Sequence, residues 1–187
     1  MKDTTHVAGY PLDYLSELQK FASEEKENIV VFPHRINDDK APWFFDMLEN
    51  YVHKELGRTD IHFVCTQAMK LNKEEYYKYL GKCKVIFSAN KHENLGIGTF
   101  EAMMLGCIPV VPDKLSYKEM YATGYKYPCP PDFYDNWEKY IDMVAQIVVE
   151  HIDYYDVRVK EEFKYETNRI YKHYFTADKI VEIIKNV

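Results

Sequence analysis

Apolar runs of strand length recur along the chain, separated by stretches with helical spacing. Asn28-Ile29-Val30-Val31-Phe32, Ile61-His62-Phe63-Val64-Cys65, Val85-Ile86-Phe87-Ser88 and Ile108-Pro109-Val110-Val111-Pro112 read as four strands, and Tyr125-Lys126-Tyr127 as a short fifth. The first four are largely continuous β-branched and aromatic runs, which suit a parallel sheet covered on both faces. Between them, Phe44, Met47, Leu48, Tyr51, Val52 and Leu56 follow the period of a helix over about 42–56. Lys73–Leu80 is a second helix with Asn72 as its N-cap. A third runs from about Gly98 to Leu105, with Gly106 placed to end it. Ser116-Tyr117-Lys118-Glu119 has the form of a capping box opening a small fourth. Trp137, Tyr140, Ile141, Val144, Ile147, Val148 and His151 make an apolar stripe on a fifth. Beyond Asp153 the pattern is charged and helical, with a break near Thr176.

The βαβαβ order predicts an α/β fold with a Rossmann-like, doubly wound parallel sheet and extra C-terminal helices. Residues 1–27 fall outside that unit and read as a linker and a surface helix, leaving 28–187 as the domain. The length of 187 residues suits one domain, or one and a fraction. With 17 Tyr, 10 Phe and 2 Trp the chain is too aromatic to be disordered. No apolar run approaches the ~20 residues of a membrane span, and Met1–His6 shows no apolar leader, so a cytoplasmic protein is expected. Cys65, Cys83, Cys107 and Cys129 form no C-x-x-C and lie in or beside apolar stretches, as free thiols do. A net charge of −6 argues against nonspecific nucleic-acid binding without excluding a local basic cleft.

Ligands of such sheets sit beyond the carboxyl ends of the strands, so the chemistry should follow Phe32, Cys65, Ser88 and Pro112. After the third strand, Gly96 and Gly98 precede a helix start. They let backbone N–H groups approach an anion at the positive end of the helix. Glu93 and Glu101 stand on either side. Carboxylates are poor phosphate ligands but good acceptors for sugar hydroxyls, so the pair could hold hydroxyls flanking a diphosphate. Glu101 could equally complement the helix dipole.

Glu93-Asn94-Leu95-Gly96 followed by Glu101-Ala102-Met103-Met104-Leu105-Gly106-Cys107-Ile108-Pro109-Val110-Val111 resembles the E-x7-E region of retaining GT-B glycosyltransferases, family 4 above all. Leu95 stands where that family usually has an aromatic residue. The resemblance implies that Glu93 contacts the donor sugar and Glu101 holds the ribose. Asn94, Leu95, Gly96, Ile97 and Gly98 would line the donor between them. It also implies that Arg35 and Lys40, which match an Arg and a Lys after the first strand of the family's donor domain, neutralise the pyrophosphate. Fixed cations of this kind stabilise a departing diphosphate. Arg35, Lys40 and Glu93 are the expected catalytic residues, in a front-face displacement without a protein nucleophile. No cofactor and no metal is expected. Asp38 and Asp39 could form a metal pair but read better as solvated, dipole-complementing carboxylates. His34 is a candidate donor behind the site, or a satisfied loop histidine.

A narrower resemblance joins Phe32-Pro33-His34-Arg35, Asp39-Lys40 and Leu115-Ser116-Tyr117-x-Glu119 to the glycosyltransferases that mannosylate queuosine in tRNA. The partners implied are a nucleotide sugar, a modified nucleobase or a glycan as acceptor, and a separate N-terminal acceptor-binding domain. Residues 6–14 resemble the linker to that domain, and the terminal helices those that cross back to it. The expected function is therefore the donor-binding half of a hexosyltransferase, inactive as an isolated fragment. The alternative is a noncatalytic binding or regulatory subunit on the same fold that needs a partner chain. A Rossmann oxidoreductase is disfavoured, because no G-x-G-x-x-G follows the first strand.

Overall fold

A computed structural model describes residues 8–159 and 161–185. Residues 1–7, on which the start of the expected linker falls, lie outside it. Five parallel strands, β1 (Glu27–Phe32), β2 (His62–Cys65), β3 (Cys83–Phe87), β4 (Ile108–Pro112) and β5 (Lys126–Tyr127), form one sheet in the order β2-β1-β3-β4-β5. The helices are α1 (Pro42–Lys54), α2 (Lys73–Lys82), α3 (Ile97–Met104), α4 (Tyr117–Met120), α5 (Ile141–Asp153), α6 (Tyr155–Arg158), α7 (Glu161–Ile170) and α8 (Asp178–Lys185).

Alternation along β1 shows why its apolar run is continuous. Ile29 and Val31 enter one core, with Leu80, Phe100 and Met103 of α2 and α3. Val30 and Phe32 enter the other, with Phe44 and Leu48 of α1 and Val144 and Val148 of α5. Each face of a strand has period 2, so a sheet covered on both sides needs apolar residues at every position. The Asn72 cap forms in full: its side chain accepts from the Glu75 amide, and Glu75 reaches back to the Asn72 amide. The break expected near Thr176 is present, as an extended residue between a π-helical turn at Tyr171–Phe175 and α8. All four cysteines are free thiols, with Cys83 and Cys107 buried. No described helix is long and apolar enough to cross a membrane.

Two local expectations fail. Ser116 makes no capping hydrogen bond; its backbone is already helical, and its buried Oγ has no partner. The surface helix expected within residues 1–27 does not form at the charged Glu24-Glu25-Lys26-Glu27, which is not helical. The helical segment lies earlier, as a 3-10 helix at Asp13–Phe21. It is docked rather than superficial, with Leu15 at 0% and Leu18 at 2% exposure. A 3-10 helix has ~3.0 residues per turn, so Leu12, Leu15, Leu18 and Phe21 line one side, all packed in or against the α2–α3 core.

Candidate functional site

The strand order reverses direction between β1 and β3, the position where an open α/β sheet forms its ligand crevice. The loops after these two strands carry Arg35 and Lys40 on one side and Glu93 on the other.

A short 3-10 turn at Asp38–Lys40 turns the first loop back. Lys40 is buried, and its Nζ donates to the His92 carbonyl oxygen at 2.7 Å and to Glu93 Oε2 at 3.2 Å. Asp39 Oδ2 lies 3.6 Å away. The second loop is tied to the first by its backbone, since the amides of Lys91 and His92 both donate to the Asp39 carbonyl. Arg35 is exposed and makes no side-chain hydrogen bond or ion pair among the described residues.

Glu93 is a hub. Oε1 accepts from the amides of Asn94 at 3.0 Å and Gly96 at 3.1 Å, and Oε2 accepts from Lys40 and from Asn90 Nδ2 at 2.9 Å. A carboxylate offers about four lone-pair sites, and these donors fill them. Burial pushes the Glu93 carboxyl up, but the Gly96 amide, Lys40 and the Asn94 amide together hold it below the usual carboxylate range. The expectation of a Glu93 open to sugar hydroxyls is thus refined. In this arrangement a hydroxyl reaches it only by replacing one of the four donors.

The glycine loop rests on Tyr117, whose side chain is fully buried. Its hydroxyl accepts from Asn90 Nδ2 at 3.0 Å and lies 3.2 Å from both Ser88 Oγ and Thr99 Oγ1. Gly96 caps α3 at φ 66°, and a Cβ there would stand 2.5 Å from the Tyr117 ring. Gly98 is different: a Cβ on it would meet nothing within 4 Å. The amides of Ile97, Gly98 and Thr99, in the first turn of α3, meet no acceptor among the described residues. Unmatched first-turn amides beside open space make an anion cradle. Asn94 is exposed, and Leu95 and Ile97 are half-buried around it.

Glu101 is one turn further along α3. Its Oε1 accepts from Tyr14 Oη at 2.8 Å and from Tyr77 Oη at 2.6 Å. Sequence reading named neither tyrosine. They come from the 3-10 segment and from α2, and no motif links them to Glu101.

His34 is buried with Nε2 unpartnered, and burial lowers its pKa to about 4. The adjacent acids are each paired: Asp38 with Lys91 at 3.1 Å, Asp39 with Lys40. Among the described residues no cluster of three or more His, Cys, Asp or Glu is arranged to hold a metal.

A cavity of about 490 Å³ opens elsewhere, beside the C-terminal end of α3, lined by Lys26, Met103, Gly106, Tyr155 and Phe163 among others. It holds none of the expected site residues. Lys26 Nζ there is spent on the Leu105 carbonyl at 2.6 Å, and a helix C-terminus disfavours an anion. The chemistry favours the opposite end of the helix.

No protein-family model matches the chain. A pneumococcal O-GlcNAc transferase, GtfA, solved with UDP and GlcNAc, superposes with a TM-score of 0.60 at 16% identity over 88% of this chain and 36% of that one. TarM superposes with a TM-score of 0.61 at 15% identity over 97% of this chain and 37% of its own. These likenesses establish the fold, that of a Rossmann-like GT-B glycosyltransferase domain. In sequence, 71 residues are 34% identical to the tRNA-queuosine alpha-mannosyltransferase of Drosophila melanogaster, 38% of this chain and 18% of that protein. The chain therefore spans about a third of the two structures and under a fifth of the fly enzyme.

Proposed function

We propose that this chain is the nucleotide-sugar-binding half of a retaining hexosyltransferase. The observation that carries the reading is the junction at the β1/β3 crevice. There the Lys40–Glu93 pair abuts the unmatched amides and open Gly98 of the α3 N-terminus. A diphosphate on those amides takes its neutralising charge from Lys40 and Arg35. As the sugar leaves, the growing negative charge on the diphosphate is met by groups already in place. A donor sugar beyond the diphosphate lies toward Glu93, and a ribose toward Glu101.

The fly relative's name supports a mannosyl-type donor and a nucleobase-type acceptor. Completion by a second domain that binds the acceptor is supported by α8, whose Val181 and Ile184 are left 43% and 69% exposed. Alone, these 187 residues bind donor and transfer nothing.

A thermal-shift panel of uridine, guanosine and adenosine diphosphate sugars tests the reading. A ligand at ~100 times its dissociation constant adds about 2.7 kcal/mol of stability. One nucleotide series should raise the melting temperature. A panel without any shift removes the nucleotide-sugar reading, and sugar transfer by the isolated chain removes the half-enzyme part of it.

A further inference from the structure

The geometry points to Tyr14 and Tyr77 as positioning residues that hold Glu101 for a ribose of the bound nucleotide. This rests on the nucleotide-diphosphate reading above and deepens it by naming what orients the ribose contact.

The two phenol hydroxyls converge on one oxygen, Oε1, at 2.8 and 2.6 Å. The other oxygen, Oε2, accepts no hydrogen bond among the described residues. One oxygen is thus held by protein and the other is left to present. Where it presents follows from helix geometry. Glu101 lies three residues after Gly98 and four after Ile97, so the three share a face of α3. Helical Cα–Cβ bonds tilt toward the N-terminus, which leans the carboxylate over that first turn. The space beside it is the space that a Cβ on Gly98 would enter without touching anything.

The tyrosines are themselves fixed. Tyr77 is 4% exposed on α2, and Lys73 Nζ lies 4.7 Å from the centre of the Tyr14 ring and 5.7 Å from that of Tyr77. Leu15, next to Tyr14, is fully buried. A carboxylate locked by two hydroxyls avoids reorganising when a diol arrives, which is how a supporting shell raises affinity without touching ligand.

The experiment is calorimetry on the full chain with UDP, GDP and ADP, and with the 2′,3′-dideoxy form of whichever diphosphate the chain binds. Wild type should prefer the ribonucleotide by roughly tenfold or more, as bonds to a charged group do. Tyr77→Phe and Tyr14→Phe should each weaken the ribonucleotide several-fold and leave the dideoxy form unchanged, so the preference shrinks. Tyr14→Phe, the less buried change, keeps the test usable if Tyr77→Phe unfolds the protein. Equal loss for both ligands assigns the tyrosines a purely structural role and overturns the proposal, as does a preference untouched by either variant. A wild type that binds the diphosphate but ignores the missing hydroxyls overturns it while sparing the nucleotide reading. Binding of none of the three diphosphates removes both.

Discussion

Lys40 Nζ lies 3.2 Å from Glu93 Oε2, across 53 positions of sequence, and the pair joins the two loops of the β1/β3 crevice, as Lys91 and Asp38 do at 3.1 Å. Lys40 Nζ has three N–H groups, of which two go to Glu93 and the His92 carbonyl. On the proposed reading the third turns to the diphosphate while Glu93 faces the sugar, so one pair serves both ends of the ligand.

Glu93→Gln separates those ends. The amide oxygen still accepts from Asn94 and Gly96, but the charge that holds Lys40 and a sugar hydroxyl is gone. Affinity for the nucleotide sugar should fall roughly ten- to a hundredfold, the worth of a charge-assisted bond. The free nucleoside diphosphate should bind as before or tighter. Arg35→Ala and Lys40→Ala should weaken both ligands. The Arg35 effect should fade most in high salt, because Arg35 is exposed and Lys40 buried. Calorimetry in low and high salt reads the pattern. A Glu93→Gln loss equal for both ligands places the sugar elsewhere.

The two glycines should respond in opposite ways. Gly96→Ala forces a Cβ to 2.5 Å from the Tyr117 ring at a positive φ, and three polar neighbours pin the Tyr117 hydroxyl. A stability loss of about 1–2 kcal/mol or more is expected, from strain and clash together. Gly98→Ala meets no protein atom, and Ala is the better helix former by up to about 1 kcal/mol. Its melting temperature should hold or rise while donor affinity falls. Unchanged affinity in Gly98→Ala would show that nothing binds over that turn.

The central strands were legible because Ile29–Phe32, Val85–Phe87 and Ile108–Pro112 are unbroken apolar runs, and the Asn72–Glu75 cap because its signal is wholly local. Ser116 misled because Leu115, at φ 56°, has already turned the chain, so Ser116 enters helical rather than caps it. The Leu12-Leu15-Leu18-Phe21 repeat has period 3, which a search at 3.6 or 2 passes over. The candidate residues can be named from the sequence, but the network that joins them cannot. Glu93 and Lys40 read as contacts to two different parts of a ligand, whereas the fold pairs them. The Glu101 tyrosines lie 87 and 24 positions away, distances at which only folding makes neighbours.

Acid should unfold the protein earlier than its carboxylates alone require. His34 and His151 are both held near a pKa of about 4, well below the ordinary 6.5, chiefly by burial. His34 Nε2 and His151 Nδ1 are buried without partners. A depressed histidine is neutral when folded and takes a proton when unfolded. Stability is therefore full above pH about 6.5 and is lost as pH falls toward 4. On the order of 2 kcal/mol per histidine should be gone by about pH 5. Urea unfolding at about pH 7.5 and pH 5 measures it, and His151→Gln should remove roughly half of the difference. A pH-independent midpoint over that window would mean that the imidazoles protonate without unfolding.

Chelation should leave donor binding unchanged. A divalent ion needs several oxygens converging at ~2.0–2.6 Å, and the acids nearest the crevice are arranged otherwise. Asp38 Oδ2 is paired with Lys91 and Asp39 Oδ2 faces Lys40, so each carboxylate is directed at a different cation. The Asp39 carbonyl is taken by the amides of Lys91 and His92. Drawing both aspartates onto one ion would strip Lys40 of a counter-charge and unfasten the two loops that form the crevice. On the proposed reading, the positive charge a diphosphate requires comes from Lys40, Arg35 and the first turn of α3. Excess EDTA should therefore change the affinity for nucleotide sugar by less than about threefold, under 1 kcal/mol. Asp38→Asn, which removes the exposed partner of Lys91, should be equally mild. Binding lost in EDTA and restored by Mg²⁺ or Mn²⁺, together with a large effect of Asp38→Asn, would move the neutralising role from the lysine and arginine to a metal held by the two aspartates.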